Sequence, residues 1–472
     1  MSPPRVVVVG GGIAGLAAAH RFLELRVDAP LELVLLEAAP RLGGTIRTER
    51  PPGYVLDAGP DSLISEKPWG LALAERLGLG ARLRGSDERV RRTYVVRQGR
   101  LVPLPEGFVL VAPARIAPVL RSPVFSWRGK LRMGLDLVLP RRRAAGDESL
   151  GAFVRRRLGR EALERVVQPL AAGIYTADPD RLSLAATMPR FAALEREHRS
   201  LILGLRRAAA RRPASGAAGV RSSLFVTLAG GMEELVEALA ARLPPGSVRL
   251  GSPATALART DAGWRVALAG GEVLPADAVV LAGPADRMAA LVRETDPPLA
   301  RELAAIDYAS SAAVALACPR GAVRHPLDAF GYVVPRQEGV PVLACTFLSV
   351  KYPGRAPAGV ALFRVFLGGA LDPGILERDD AALVALARGE LAARLGLDAA
   401  PTLARVWRHP RAMPQYDVGH LGRVAAIEAR LDALPGLAVA GAAYRGVGIA
   451  DCVRSGEAAA ERLVPRLEGG PS

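Results

Sequence analysis

The sequence predicts an α/β fold that combines a parallel-sheet domain, discontinuous along the chain, with a mixed-sheet domain and a helical insertion. Three observations lead to this prediction. A glycine-rich turn joins a strand to a helix near the N-terminus, and a second strand, turn and helix follow near the C-terminus. Between them lie helical, arginine-rich stretches and strand-like runs that neither end of the chain explains.

The first strand leads directly into the glycine-rich turn. Val6–Val9 is long enough for a buried parallel strand. The next six residues fit the pattern G-x-G-x-x-G, and residues 16–25 continue at helical spacing. This context is that of a Rossmann-like dinucleotide-binding domain, in which the free N–H groups of the helix face phosphate. The candidate phosphate-binding residues are Gly10, Gly11, Gly12, Ile13, Ala14 and Gly15.

The second strand ends in an acidic residue. Residues 31–36 are apolar and strand-like, and Glu37 follows about 20 residues beyond the glycines, where a carboxylate holds ribose hydroxyls. An acid at this position favours an unphosphorylated ribose, as in FAD or NAD, over NADP. Glu37 and its neighbour Ala38 are therefore predicted to bind the cofactor.

Two further turns carry a family resemblance. Residues 41–48 contain a glycine pair between arginines, and residues 54–62 read Tyr-Val-Leu-Asp-Ala-Gly-Pro-Asp-Ser. In this order they resemble flavoproteins of the amine oxidase and protoporphyrinogen oxidase type, in which the second turn lies beside the isoalloxazine ring. The resemblance implies FAD and adds the cofactor-binding candidates Arg41, Gly43, Gly44, Thr45, Gly59, Pro60, Asp61 and Ser62.

The C-terminal region extends the resemblance. Residues 437–441 form a strand that ends on glycine, and residues 444–452 lead into a helix predicted from about Val453 to Leu463. The start of that helix would place its positive dipole end against the pyrimidine edge of the flavin. Its motif, and those at 173–179, 194–202 and 413–420, are similar to the porphyrinogen oxidases. Further cofactor-binding candidates are Val447, Gly448, Ile449 and, in the central part of the chain, Ala254.

Composition excludes several other classes. Half of the 472 residues are apolar and 23% are charged, which indicates a globular protein with two or three cores. The three cysteines and five histidines have no metal-ligand spacing, so we expect no metal. The cysteines lie far apart in the sequence and form no disulfide framework, which suits a reducing cytosol. The apolar N-terminus is interpreted as the first strand and not as a signal peptide, so the expected location is cytoplasmic.

The net charge of +15 has two interpretations. No nucleic-acid motif accompanies it, so a nucleic-acid partner is not expected. Residues 108–120 and 125–140 combine apolar residues with arginines and Lys130. They form either a peripheral contact with the cytoplasmic face of the inner membrane or a core helical pair with a solvated basic rim. The family resemblance favours the membrane contact.

The motifs at both ends divide the chain into five segments. We predict FAD-binding parts at 1–90, 221–299 and 405–472, a helical insertion at 91–220 and a substrate-binding sheet domain at 300–404. Residues 207–220 are predicted to form a loop. A homodimer is the default assembly.

The resemblance implies oxidation of protoporphyrinogen IX to protoporphyrin IX. Six electrons leave in two-electron hydride transfers to flavin N5, and O2 reoxidises the cofactor with release of peroxide. Such chemistry requires no strong side-chain base, and the sequence contains no Ser/His/Asp or Cys/His arrangement, so no catalytic side chain is assigned. Alternatives are a coproporphyrinogen III oxidase of the same family, an amine oxidase-like flavoenzyme and a non-catalytic lipid-binding relative.

The substrate, a large apolar macrocycle with carboxylate arms, needs apolar walls and one or two cations. By resemblance the candidates are Gly173, Tyr175, Phe330, Gly331 and Tyr332, each of which has core packing as its alternative. The sequence departs from the protoporphyrinogen branch at Thr93, where that branch has an arginine proposed to pair with a propionate. Either Arg92 replaces it, or the anchor lies elsewhere, as suits coproporphyrinogen III with four arms instead of two.

Overall fold

The strands and helices were identified in a computed structural model, which describes residues 3–144, 146–211 and 223–468. The strands are β1 (Arg5–Val9), β2 (Glu32–Leu36), β3 (Thr48–Glu49), β4 (Leu56–Asp57), β5 (Leu63–Ile64), β6 (Leu83–Gly85), β7 (Thr93–Arg97), β8 (Arg100–Pro103), β9 (Phe108–Val109), β10 (Ala112–Pro113), β11 (Phe225–Leu228), β12 (Val248–Arg249), β13 (Ala254–Thr260), β14 (Gly263–Leu268), β15 (Val273–Ala276), β16 (Ala278–Leu281), β17 (Tyr308–Pro319), β18 (Gly331–Val333), β19 (Val342–Phe347), β20 (Val360–Gly368), β21 (Leu403–Pro414) and β22 (Leu437–Val439). The helices are α1 (Ile13–Leu25), α2 (Pro68–Arg76), α3 (Ile116–Arg121), α4 (Trp127–Gly134), α5 (Leu150–Arg157), α6 (Arg160–Ala162), α7 (Gln168–Tyr175), α8 (Leu184–Thr187), α9 (Pro189–His198), α10 (Leu201–Arg211), α11 (Glu233–Ala240), α12 (Ala285–Leu291), α13 (Pro297–Ala304), α14 (Leu348–Lys351), α15 (Asp380–Leu395), α16 (His420–Asp432) and α17 (Ile449–Glu468).

A five-stranded parallel sheet is assembled from three distant parts of the chain, in the order β12-β2-β1-β16-β22. Successive side chains of a strand point to opposite faces. Val6 and Val8 therefore pack on the side of α1 and α17, whereas Val7 and Val9 pack on the side of β14, α12 and α16. Both faces are covered, which explains why the first strand is apolar throughout.

The two ends of the chain meet in helix packing on this sheet. A Cβ atom added to Gly456 of α17 would lie 2.1 Å from the carbonyl oxygen of Ala14 in α1. Only glycine allows such an approach, so the C-terminal helix is seated directly on the helix that follows the glycine-rich turn. This contact brings the two ends of the predicted cofactor site together.

The second large sheet has seven strands in the order β21-β17-β20-β19-β18-β7-β8, and only β18 and β7 run parallel to each other. One face packs against α15 through residues such as Val314 and Phe363. The opposite face, called the site face below, packs through Ala313 and Leu362 against Leu56 and Ala58 of the first domain. The α/β prediction with an additional mixed sheet is therefore confirmed.

The structure differs from the predicted segment boundaries at two places. Strands β7 and β8, assigned to the helical insertion, are in the seven-stranded sheet, where Thr93 lies opposite Gly331. Strand β21 crosses the predicted boundary at residue 404 and pairs with β17. Both pairings join residues far apart in sequence, and no local sequence pattern predicts which distant strand will be the partner.

Between β8 and β11 the chain forms the mainly helical region α3–α10 with its own apolar core. Of the loop predicted at 207–220, the first five residues belong to α10, and residues 212–220 lie outside the described residues. Among the described helices, none has the length and apolar character needed to cross a membrane.

Candidate cofactor and substrate site

The glycine-rich turn has the geometry of a phosphate cradle. Gly12 precedes α1 as its N-cap, no side chain caps the helix, and no atom lies within 4 Å of a Cβ added to Gly12. A Cβ on Gly15 would lie 1.9 Å from the Gly10 carbonyl oxygen, and Gly10 has a φ of +112°. The open space at Gly12 and the uncapped N–H groups suit a phosphate.

A second turn closes on the first. The Gly43 N–H donates to the Gly11 carbonyl at 2.8 Å, and a Cβ on Gly44 would lie 3.5 Å from Gly12 Cα. The guanidinium of Arg41 donates to the carbonyls of Leu42 (2.9 Å) and Ile46 (3.1 Å) and also to that of Gly44. Arg41 thus holds the turn together, and its donors are directed to the backbone.

Glu37 is tied to the glycine-rich turn. Its Oε2 atom accepts from Gly11 N and its Oε1 atom from Ala39 N, both at 2.7 Å, while Ala38 is exposed. The Ser252 N–H donates to the Glu37 carbonyl at 2.9 Å. That bond brings the start of β13, with Ala254, to the same edge of the sheet. These residues form what we call the nucleotide end of the site.

At the other side of the glycine turns lies the ring turn, residues 58–62. A Cβ on Gly59 would lie 1.9 Å from the Thr45 carbonyl oxygen, so this turn is packed directly on the second glycine turn. Ser62 Oγ donates to Asp61 Oδ1 at 2.7 Å, and Pro60 is exposed. Gly12, Gly44, Thr45 and Gly59 thereby form one continuous line of close contacts.

Buried charges surround the ring turn. Arg355 pairs with Asp57 at 2.7 Å, while Lys351 Nζ and Arg364 Nη1 lie 3.8 and 3.7 Å from the Asp61 carboxylate. Although burial raises the pKa of Asp61, Lys351 and Arg364 hold it below its ordinary value. Burial lowers the pKa of Lys351, and Asp61 opposes that shift. The charged forms of these groups stabilise one another.

The C-terminal motif, residues 444–452, forms a further wall of the candidate site. Gly448 precedes α17, and in the first turn of that helix Asp451 accepts from Lys67 Nζ at 2.7 and 2.6 Å. Ile449 is buried, whereas Val447 packs against the helical region. The preceding loop is clamped by Tyr416, whose hydroxyl accepts from Gly446 N at 2.8 Å and donates to the Ala442 carbonyl at 2.6 Å.

Several substrate candidates lie near the site face. Thr93 and Gly331 are cross-strand partners on it, and a Cβ on Gly173 would lie 3.9 Å from Ala344 of the neighbouring strand β19. The Phe330 ring lies 6.4 Å from that of Phe225. The structure thus brings α7, β7, β18 and β19 together around one surface.

Three other candidates are placed differently. Tyr332 is 1% exposed and packs between the sheet and α15, because alternation along β18 turns it away from its neighbour Gly331. Arg92 is exposed at the surface and pairs with Asp328 at 3.1 Å. The Tyr175 hydroxyl donates to the Thr187 carbonyl at 3.3 Å, and burial raises its pKa to about 12.

Sequence reasoning missed the cations at the ring turn. Arg364 interrupts the apolar run of β20, and Lys351 is one of only three lysines in the chain. A charged residue in a buried strand requires a partner, so its presence in an apolar run of the sequence indicates a buried ion pair. The partners themselves lie about 300 residues away in sequence, at Asp57 and Asp61, and no pattern identifies them.

The residues present fit FAD. The open cradle at Gly12, the uncapped start of α1 and the Glu37 carboxylate suit its nucleotide half. The line from Gly44 to Gly59 leads toward the ring turn and the start of α17, which would enclose the flavin half. In the described part of the chain, no cluster of His, Cys, Asp or Glu suits a metal ion.

Comparison with known proteins agrees with this geometry. The family model "Flavin containing amine oxidoreductase" matches residues 13–464. The coproporphyrinogen III oxidase of Bacillus subtilis is 36% identical, covering 96% of each chain, and the protoporphyrinogen oxidase of Bos taurus is 34% identical, covering 97% of this chain and 98% of its own.

Solved structures show the same fold. A crystal structure from Exiguobacterium sp. 255-15 superposes with a TM-score of 0.86 at 31% identity, over 99% of this chain and 100% of the other. Cyclohexylamine oxidase from Brevibacterium oxydans shares the fold alone, at 16% identity and a TM-score of 0.71. The chain therefore belongs to the protoporphyrinogen and coproporphyrinogen III oxidase family of flavin-containing amine oxidoreductases, and it is an FAD-dependent oxidoreductase.

Proposed function

We propose that this oxidoreductase converts coproporphyrinogen III to coproporphyrin III. Six electrons leave the macrocycle in three two-electron steps, and three O2 are reduced to three H2O2. The observation that carries this proposal is Thr93, which places a short neutral side chain on the site face where the two-armed branch has an arginine. The likeness to coproporphyrinogen III oxidases of Bacillus subtilis and Propionibacterium freudenreichii, both 36% identical, supports it.

In this proposal the cofactor carries out the redox chemistry. FAD, when bound, accepts a hydride at N5. The protein's task is to hold a methylene bridge of an apolar macrocycle against the ring and to exclude water. Gly173 and Phe330 suit apolar walls, because Gly173 leaves room beside Ala344 and Phe330 presents a ring beside the site face. Gly331 instead lets β18 pack closely on β19, since a Cβ there would lie 2.0 Å from the Cys345 carbonyl oxygen. Arg92 and Tyr332 are left out of this proposal, since neither side chain lies on that face.

The deciding experiment is aerobic turnover of the purified protein on coproporphyrinogen III and protoporphyrinogen IX side by side. Porphyrin fluorescence reports the product, and peroxide release reports the use of O2. We expect faster oxidation of the four-armed substrate, with one peroxide for each two electrons removed. Faster oxidation of protoporphyrinogen IX would overturn the assignment, and porphyrin formation without peroxide would overturn the role of O2.

A substitution sharpens the substrate test. Thr93→Arg would restore the cation of the two-armed branch on the site face, so the ratio of kcat/KM for protoporphyrinogen IX over coproporphyrinogen III should rise. Thr260→Arg, at the end of a strand in a different sheet, serves as the matched control and should leave the ratio unchanged. An unchanged ratio in Thr93→Arg would place the carboxylate anchor elsewhere.

Protoporphyrinogen IX is the second candidate. The protoporphyrinogen oxidases of cattle and humans are 34% identical to this chain, almost as similar as the relatives from Bacillus subtilis and Propionibacterium freudenreichii at 36%. In the turnover experiment above, this candidate predicts the opposite preference.

We also propose peripheral contact with an anionic membrane. Along α4 and just beyond it, Trp127, Leu131, Leu135 and Val138 are 68%, 73%, 47% and 66% exposed, at spacings close to one helical face. Lys130 Nζ lies 4.4 Å from the Trp127 ring centroid, which places a cation beside the apolar stripe. Apolar groups with adjacent cations favour the interface of a bilayer that carries negative lipids.

Cosedimentation with vesicles tests the membrane contact. Vesicles with phosphatidylglycerol should retain the protein, vesicles of phosphatidylcholine alone should retain less, and Leu131→Glu should abolish the difference. Val27→Glu, at a remote position that is 79% exposed, is the matched control. Equal binding of Leu131→Glu and the unchanged protein would refute the contact.

A further inference from the structure

The buried charges at the ring turn do not balance. The cationic cluster consists of Lys351, Arg355 and Arg364 with the carboxylates Asp57 and Asp61. All five residues are largely or fully buried, so water screens their charges only weakly. Three positive charges face two negative charges, and the cluster carries a net charge of +1.

One pair within the cluster is self-contained. Arg355 Nη1 donates to Asp57 Oδ2 at 2.7 Å, and Arg355 Nη2 donates to Thr227 Oγ1 at 2.5 Å. The second oxygen of Asp57 accepts from Thr48 Oγ1 and from Met232 N. Each partner thus has at least one hydrogen bond besides the one that joins them, and their opposite charges cancel within the pair.

The remaining carboxylate is shared. Asp61 faces Lys351 and Arg364 at 3.8 and 3.7 Å, while an Arg364 nitrogen donates to the Ala58 and Gly59 carbonyls of the ring turn. Burial and Arg364 lower the pKa of the neighbouring His409, so this imidazole adds no charge at neutral pH. The excess positive charge therefore belongs to the group around Asp61.

Of the three cations, Lys351 has the weakest contact with a carboxylate. Its ammonium lies 4.3 Å from the Phe225 ring centroid, 4.9 Å from Tyr352 and 6.0 Å from Phe330, so much of its surroundings is aromatic and not anionic. Cation–π attraction stabilises an ammonium there without neutralising it. The side chain is 10% exposed, so its charge acts at close range on whatever fills the site.

The cluster lies at the flavin end of the cofactor site. Its contacts reach Ala58, Gly59 and Asp61, and the line Gly59–Thr45–Gly44–Gly12 connects them to the phosphate cradle on the side away from Glu37. The flavin ring gains negative charge when it takes up a hydride. We propose that the uncompensated positive charge of the cationic cluster, carried by Lys351, makes the bound flavin easier to reduce. This inference rests on FAD binding and not on which porphyrinogen is oxidised.

The test removes the charge and measures the flavin itself, without porphyrinogen. In Lys351→Met we expect the ratio of reduced to oxidised flavin at a fixed potential to fall at least tenfold, which is about 30 mV for a two-electron couple. Sulfite, which adds to an electron-poor flavin, should bind more weakly by a similar factor. Arg462→Met removes an exposed positive charge on α17 and should leave both quantities unchanged.

Two more variants keep the inference falsifiable if Lys351→Met loses its flavin. Asp61→Asn leaves the cluster with a net charge of +2 while Lys351 stays protonated, so at slightly acidic pH the potential and the sulfite affinity should move in the opposite direction. Lys351→Arg keeps the charge and should stay close to the unchanged protein. The inference fails if Lys351→Met leaves the potential where it was, or if Asp61→Asn lowers it.

Discussion

The two ends of the candidate cofactor site are built in different ways. At the nucleotide end, the Glu37 carboxylate accepts from two backbone N–H groups, and the Arg41 guanidinium donates to three nearby carbonyls. These side-chain contacts join residues within about 30 positions. At the ring turn, the cations that pair with Asp57 and Asp61 come from β20 and the segment around α14, about 300 positions away.

The first end is therefore suited to binding the cofactor, and the second end to adjusting its reactivity. The nucleotide end offers backbone groups and one carboxylate, which suit a part of the cofactor that never reacts. The ring end presents buried side-chain charge, which acts strongly in a weakly screened environment and can be adjusted by single substitutions. Changes at the first end should alter whether the cofactor binds, and changes at the second should alter stability and reactivity.

The largest expected effect is at the phosphate cradle. Gly12→Asp places a carboxylate in open space, so the protein should fold, but repulsion from the pyrophosphate should weaken FAD binding by about 4 kcal/mol, roughly a thousandfold. The flavin absorbance of the purified protein measures this loss. Gly270→Ala, also in open space but on a remote hairpin, should keep full occupancy. Full occupancy in Gly12→Asp would refute the cradle.

The next effect is on stability at the ring turn. Arg355→Met leaves Asp57 buried without its partner, which should lower the free energy of unfolding by about 3–5 kcal/mol. Urea unfolding of the flavin-loaded protein measures it. Adding Asp57→Asn should recover part of the loss. A shift no larger than that of Arg411→Met, in an exposed pair with Asp286, would show that the buried pair does not stabilise the fold.

A smaller effect is expected at Glu37, the predicted ribose-binding acid. Glu37→Gln loses one of its two acceptor oxygens for the Gly11 and Ala39 N–H groups, and hydrogen bonds to a charged group contribute about 1.5–3 kcal/mol. FAD affinity should fall about ten- to a hundredfold in titrations of the apoprotein. Glu32→Gln, exposed on the same strand, is the control and should bind normally. Equal affinity in both variants would contradict the assignment of Glu37.

The smallest effect is a dependence of stability on pH. His420 stacks on Tyr416 with ring centroids 3.9 Å apart, and burial lowers its pKa. Below about pH 6.5 the unfolded chain binds a proton at His420 that the folded protein does not bind. The contribution of the neutral imidazole to the free energy of unfolding is therefore complete above that pH. Below it, the free energy of unfolding falls by up to about 1.4 kcal/mol per pH unit. Urea unfolding at pH 7.5 and 5.5 measures the loss.

Substitution identifies the contribution of His420 among the other histidines. Burial also lowers the pKa of His20, His325 and His409, so some pH dependence should persist in His420→Gln. The slope of that variant should nevertheless be shallower than that of the unchanged protein. An identical slope would mean that His420 is protonated without cost in the folded state.

Much of the nucleotide end could be predicted from sequence, because its signals are local. A β-branched strand, glycines at fixed offsets and an acid at the end of the next strand are needed wherever a backbone must approach phosphate and ribose. Gly15, with its Cβ position 1.9 Å from a carbonyl oxygen, shows why the pattern tolerates no other residue. Arg41 was predicted to face the cofactor, but its guanidinium binds the turn.

The sequence by itself therefore determined the α/β class, the cofactor family and the positions of the glycine turns, since these depend on contacts between near neighbours. Only the tertiary structure decided that β7 joins the seven-stranded sheet, that Tyr332 faces away from the site, and that Lys351 and Arg364 share Asp61. Strand pairing and buried ion pairs join residues hundreds of positions apart. Their free energy depends on burial, which exists only once the domains have packed.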